Sequence, residues 1–259
     1  MNSETLYADR DLLDLIGKIQ ALPNHWHGVG SVSPNVLRAI ARHAQRIGRI
    51  FNSVETGSGK TTLLFSHLSA QHLVFAIDEG DSISKVRTSP LFNAQNVTFI
   101  EGLTQVTLPK YSFERKVQIA LIDGPHGYPF PDLEYFYLYP VLESGGLLLI
   151  DDIKIPTIRR MFEIIKADDM FELLELVDSN TAFFRRTEAP SVSLTSSSWW
   201  QQGYNRAYYL DPSGKSFADA LRSKLLSAYW TLGRLAPDWF LRPLPKRFKE
   251  KLRKTLTDQ

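Results

Sequence analysis

The chain runs to 259 residues, enough for one full α/β domain with additions, since domains mostly span ~100–200 residues. It contains no cysteine, which excludes disulfides, thiolate metal sites and cysteine nucleophiles. The formal net charge of +2 hides an asymmetry: residues 242–254 hold seven basic side chains and one acidic one, so the remaining body is mildly acidic. It therefore lacks the basic face that nucleic acid as a main partner would require.

The first twenty residues mix charges with Leu and Ile and lack a signal-peptide layout. No apolar run approaches the ~18–20 residues of a membrane span. A cytoplasmic protein is the expectation. Leu12, Leu15, Ile16, Ile19 and Leu22 fall at helical spacing, and a loop with His25, Trp26 and His27 follows. That loop reads as surface packing, with lining of an acceptor pocket as its alternative. Ser33-Pro34 is an N-cap with proline at the first helical position, opening a helix to about Arg46.

Strand and helix signals then alternate. Apolar strands at 49–55, 73–77, 97–100, 117–122 and 147–150 are separated by helical stretches at 61–70, 132–142 and, after the last strand, 157–166. Continuous apolar strands of this kind mark a parallel sheet covered on both faces. Phe171–Val177 and Thr181–Arg185, joined by Asp178-Ser179-Asn180, then read as an antiparallel hairpin. The expected fold is α/β: a Rossmann-like seven-stranded sheet of five parallel strands plus a C-terminal antiparallel hairpin, with helices on both faces. Residues 1–46 form an N-terminal helical cap and 47–187 the central domain. Residues 188–259 form an aromatic-rich, basic extension, including Trp199, Trp200, Tyr204 and a capping-box pattern at Ser216 and Asp219. Phe248, Leu252 and Leu256 give its basic tail a narrow apolar stripe; it reads as a solvated face, with attachment to an anionic membrane as the alternative.

The informative stretch is Ser53-Val54-Glu55-Thr56-Gly57-Ser58-Gly59-Lys60-Thr61-Thr62. Gly59-Lys60-Thr61 resembles the end of a phosphate-binding P-loop, but Val54 occupies the place of that motif's first glycine and Glu55 puts a carboxylate inside the loop. The better parse is a strand ending in a glycine turn that opens a helix at Thr61. Its backbone can approach a nucleoside closely, and the helix N-terminus can hold a carboxylate. Glu55 then suits an ammonium group, and S-adenosylmethionine (SAM) carries an ammonium and a carboxylate side by side.

Ligands of open parallel sheets bind beyond the carboxyl ends of the strands. Those ends carry Glu55–Gly59, Asp78, Gly102-Leu103-Thr104-Gln105, Asp123-Gly124-Pro125-His126 and Asp151-Asp152. Asp78 lies 21 residues after Gly57, close to the ~20 expected of a carboxylate gripping ribose hydroxyls. Three carboxylates on adjacent strand ends repel one another unless a cation sits between them, and a hard dication suits oxygen ligands. The plainer readings are a helix N-cap for the paired aspartates and a loop-closing hydrogen bond for His126.

Residues 55–62, 122–128 and 145–153 resemble the class I SAM-dependent O-methyltransferases. The similarity is to the magnesium-dependent sugar and natural-product branch, and more distantly to catechol O-methyltransferase; it covers roughly residues 35–187. The resemblance implies that Glu55, Gly57, Ser58, Gly59, Thr61 and Asp78 hold the methionine and ribose parts of SAM, with Thr104 and Gln105 near the adenine. It further implies that Asp123, Asp151 and Asp152 bind Mg²⁺ or Mn²⁺, with Asp123 and His126 catalytic and His126 taking the proton of the acceptor hydroxyl. The implied acceptor is a small-molecule or saccharide hydroxyl. Two departures stand out: the glycine loop is shorter than in the catechol enzyme, and Asp152 replaces its third ligand, an asparagine. A P-loop nucleotidase and a non-catalytic SAM-fold binding protein are the competing readings.

Overall fold

A computed structural model describes residues 3–23, 26, 30 and 32–191. All belong to the first of two units into which the chain divides, Met1–Ser196 and Ser197–Gln259. The expectations for His25, His27, the aromatic segment 199–210, the capping box at Ser216 and the basic tail 242–254 lie outside the described residues.

Helices α1 (Ser3–Ala21) and α2 (Pro34–Ile47) precede the sheet. Ser33 caps α2 by accepting from the Val36 N–H, and Pro34 occupies the first turn, where a missing N–H costs nothing. Strand β1 (Ile50–Thr56) leads to α3 (Lys60–Leu68), β2 (Ser69–Ala76), α4 (Ser82–Thr88) and β3 (Val97–Glu101). The short α5 (Thr104–Thr107), β4 (Val117–Ile122), α6 (Phe130–Leu138), β5 (Leu142–Ile150) and α7 (Pro156–Lys166) follow, and β6 (Phe171–Val177) and β7 (Thr181–Arg186) close the sheet.

The seven strands lie in the order β3-β2-β1-β4-β5-β7-β6. The first five are mutually parallel; β7 runs antiparallel to both β5 and β6. The expected architecture is therefore present. Two strand starts differ: β2 begins at Ser69, inside the stretch read as helix 61–70, and β5 also begins early. The Gly145-Gly146 pair reads as a turn before the fifth strand, yet β5 begins at Leu142 and carries the glycines as an irregularity opposite Gln118. Gly145 has φ +79°, a conformation that favours glycine and lets the strand bulge without ending.

Alternation along the strands builds two apolar layers. Ile119, Leu121, Leu147, Leu149 and Phe183 join Ile16 and Ile19 of α1, Val36, Leu37 and Ile40 of α2, and Leu63 to Phe65 of α3. The N-terminal helices thus share one core with the sheet. On the opposite face, Phe162 of α7 packs on Phe184 of β7 at 5.8 Å between ring centroids, and Tyr135 of α6 lies 6.0 Å from Phe171. Between β1 and β4 the chain turns away in opposite directions, the topological switch point where α/β sheets open a crevice. No helix among the described residues is long and apolar enough to cross a membrane.

Candidate functional site

A cavity of about 940 Å³ opens at that switch point, the upper end of the ~300–1,000 Å³ of ligand pockets. One wall is the glycine turn with the first residues of α3: Gly57, Ser58, Gly59, Lys60 and Thr61. A second, after β2 and β3, presents Ile77, Glu79, Leu103, Thr104 and Gln105. The floor holds Asp123, His126, Asp151 and Asp152, and the far side is formed by Val32, Ser33, Lys154, Asp178, Asn180 and Thr181.

Gly57 marks a close approach of two backbones in the site. Its φ is +83°, and a Cβ there would stand 2.2 Å from the Asp123 carbonyl oxygen. The turn is fixed from behind. The Gly59 N–H donates to the Thr62 hydroxyl at 2.9 Å, and that hydroxyl donates to Glu55. Glu55 is fully buried, with His72 Nε2 3.2 Å from Oε1, and it is not among the residues lining the cavity. Direct pairing of Glu55 with an ammonium ligand is thus not the arrangement found; the side chain lies on the α3 face of β1, alongside Ser53.

Asp78 also serves the fold. It accepts from the backbone N–H groups of Ile83 and Ser84 and from the Ser84 hydroxyl, bonds that lower its pKa from the usual carboxylate value. The acidic residue lining the cavity after β2 is its neighbour, Glu79, which sequence reasoning missed although its spacing from Gly57 fits equally well. Thr104 and Gln105 do line the cavity; the Thr104 side chain is engaged with Glu134, whereas Gln105 Oε1 and Ser58 Oγ are buried without a hydrogen-bond partner. Buried polar atoms normally find partners, so two orphans along one cavity fit a polar ligand there.

Lys60 is 6% exposed, and its ammonium donates to the Leu22 carbonyl beyond α1 at 3.1 Å. Burial lowers its pKa. In a P-loop this lysine would be aimed at phosphates; here it ties the N-terminal helices to the glycine turn.

At the floor, one carboxylate oxygen each from Asp123 and Asp152 and a ring nitrogen of His126 lie within 4.8 Å of one another. His126 Nε2 is 3.8 Å from Asp123 Oδ1 and 3.5 Å from Asp152 Oδ2. Asp151 is placed differently. It is buried, and its Oδ1 accepts from the Thr181 hydroxyl. Burial, and then its two aspartate neighbours, raise the pKa of Asp123 against the pull of the His126 ring; burial is also the main cause raising Asp151. The Asp123 side chain beside it, together with the charges of all three aspartates, raises the pKa of His126. Among the described residues, His126 is the sole cationic group within ion-pair range of Asp123 and Asp152. A cluster of oxygen donors with that little compensating charge fits a divalent cation by its chemistry.

Beneath the floor lies a residue with no sequence signal. Glu134 of α6 is 1% exposed and accepts from the Thr56 hydroxyl at 2.8 Å; Thr56 Oγ1 in turn accepts from the Asp123 N–H at 3.0 Å. Burial pushes its pKa up to about 7. Its Oε1 would meet a Cβ on Gly124 at 2.1 Å, so a larger residue in the β4 loop would displace this carboxylate.

Residues 54–153 match the profile of a family described as a methyltransferase domain. No protein of curated function matches the chain. Among solved structures, a Staphylococcus aureus protein assigned as a caffeoyl-CoA O-methyltransferase is 14% identical, with a TM-score of 0.54, covering 70% of this chain and 99% of its own. A Klebsiella pneumoniae protein assigned as an O-methyltransferase is 16% identical at a TM-score of 0.51, covering 69% and 89%. The O-methyltransferase TomG of Streptomyces achromogenes, solved with SAM, is 13% identical at a TM-score of 0.50, covering 67% and 89%. At such identities the likeness is one of fold.

Proposed function

We propose that this methyltransferase-fold chain transfers the methyl group of SAM to a hydroxyl of a small molecule or saccharide, with help from a divalent cation. The observation that carries the reading is a single cavity joining the tight glycine turn and two orphaned polar atoms to the Asp123–His126–Asp152 cluster. Gly57 to Thr61 would hold the methionine part, Glu79 the ribose, and Thr104 with Gln105 the adenine. Asp123 and Asp152 would hold the cation, with the buried Asp151 beside them adding negative charge. SAM supplies an electrophilic methyl group, and a bound cation supplies the charge that lowers the pKa of an acceptor hydroxyl. His126 would receive that hydroxyl's proton. A cation among the carboxylates that favour its protonated form would weaken their hold on that proton.

Isothermal titration tests the cofactor. SAM and its product S-adenosylhomocysteine are expected to bind and ATP is not. Glu79→Ala should weaken SAM about 10- to 100-fold, the value of a charge-assisted hydrogen bond of ~1.5–3 kcal/mol. Asp78→Ala should act mainly on stability. Tight ATP binding without SAM binding, abolished by Lys60→Ala, would refute the proposal.

A further inference from the structure

The β6–β7 turn reaches the floor of the cavity from outside the methyltransferase profile. Asp178 and Ser179 both have positive φ, +52° and +53°, and the Asn180 N–H donates to the Val177 carbonyl at 3.0 Å. This is the geometry of a tight hairpin turn that normally recruits Asn or Gly. Side-chain-bearing residues at such angles cost on the order of 1–3 kcal/mol each and persist where the surroundings over-determine them. The surroundings do so here. Asp178 accepts from Ser33, and from Asn35 Nδ2 at 2.9 Å, both at the start of α2, while Lys154 Nζ donates to its carbonyl at 3.2 Å.

The two residues that leave this turn grip both carboxylates after β5. Asn180 Nδ2 donates to Asp152 Oδ1 at 2.8 Å, and the Thr181 hydroxyl donates to Asp151 Oδ1. The Asn180 carbonyl also accepts from the Ile153 N–H at 2.9 Å. Each bond engages Oδ1 of its carboxylate. For Asp152 the oxygen left over, Oδ2, is the one that faces His126. Asp152 itself sits at φ +56°, so its direction depends on this external hold.

We infer that Asn180 and Thr181 are positioning residues for cation binding: Asn180 takes one oxygen of Asp152 and leaves the other facing the centre, and Thr181 fixes the adjoining Asp151. This rests on the metal reading proposed above. It assigns the clamped hairpin turn, rather than the strand end alone, as the element that fixes Asp152 and the adjoining Asp151 for the cation.

The test is titration of the full chain with MnCl₂ alone, followed by titration with S-adenosylhomocysteine. Groups that orient metal ligands typically contribute 10- to 100-fold in affinity. Thr181→Val, which keeps the shape and removes the hydroxyl, should weaken Mn²⁺ by that factor, and Thr181→Ser should restore it. Asn180→Ala, at a half-buried position that tolerates truncation, should weaken Mn²⁺ comparably. S-adenosylhomocysteine affinity should stay within twofold in all three. Wild-type Mn²⁺ affinity in folded Thr181→Val and Asn180→Ala would overturn the inference while leaving the metal reading intact. A wild-type chain that binds S-adenosylhomocysteine but no Mn²⁺ would overturn both.

Discussion

Gly57→Ala is expected to abolish measurable S-adenosylhomocysteine binding and to lower stability by about 3–5 kcal/mol, in the range reserved for severe mechanisms. Two costs combine. A residue bearing a Cβ at φ +83° carries a left-handed penalty of roughly 1–2 kcal/mol. The larger cost is steric. The new Cβ would lie 2.2 Å from the Asp123 carbonyl oxygen and 3.2 Å from its carbon, and backbone atoms cannot swing aside as a side chain can. Relief requires the ends of β1 and β4 to separate, which strains the Asp123–Thr56–Glu134 chain of hydrogen bonds and displaces the cavity floor. Gly145→Ala is the matched control: φ is +79°, but nothing lies within 4 Å of the added Cβ. It should cost only the conformational penalty. Urea unfolding of the two variants, with titration of the ligand, separates the effects. Equal and small losses would mean that the close approach at Gly57 carries no weight.

The second large effect is a pH-dependent gain in stability from Glu134→Gln. The folded-state pKa of Glu134 is raised, from an ordinary 4.5 to about 7, because burial penalises the carboxylate. The folded state therefore holds the proton more tightly than the unfolded chain. That contribution is fully present below about pH 4.5 and is lost as pH rises through about 7. A shift of this size corresponds to about 3 kcal/mol at ~1.4 kcal/mol per pH unit. Gln keeps an acceptor for the Thr56 hydroxyl and cannot ionise. The variant should match wild type near pH 4.5 and exceed it by up to that amount at pH 8. Asp123 and Asp151 also have raised pKa values and act in the same direction, but they remain in both proteins and cancel in the difference. Unfolding at both pH values with chelator present measures it. Parallel profiles for the two proteins would contradict a buried, ionisable Glu134.

What the sequence shows and what it hides follow from the range of the interactions. Strands with continuous apolar character and a compact hairpin turn are local patterns, so the order of elements could be read directly. The strand ends could be located for the same reason, and Asp123, His126 and Asp152 do meet there. Direction was harder. Glu55 sits at a strand end but on the same side of β1 as Ser53, and period-two alternation alone puts it against α3. The choice between Asp78 and Glu79 depends on how the chain turns after β2, where Gly80 at φ +58° and Asp81 at φ +59° redirect it. No local pattern encodes that turn. Glu134 reads as a polar residue on an aromatic helix; only the packing of α6 under the β4 loop makes it a buried group. The roles of Asn180 and Thr181 depend on partners some thirty residues earlier.

The lysine held by the Leu22 carbonyl bears on ancestry as well as stability. A glycine turn followed by Lys and Thr is one substitution, Val54 to Gly, from satisfying a nucleotide-binding consensus. Besides Val54 and Glu55, what keeps the two chemistries apart is the segment leaving α1, whose Leu22 carbonyl occupies the ammonium. The helical preface is in that sense a guard on substrate identity, which gives a reason for it to be inherited together with the lysine.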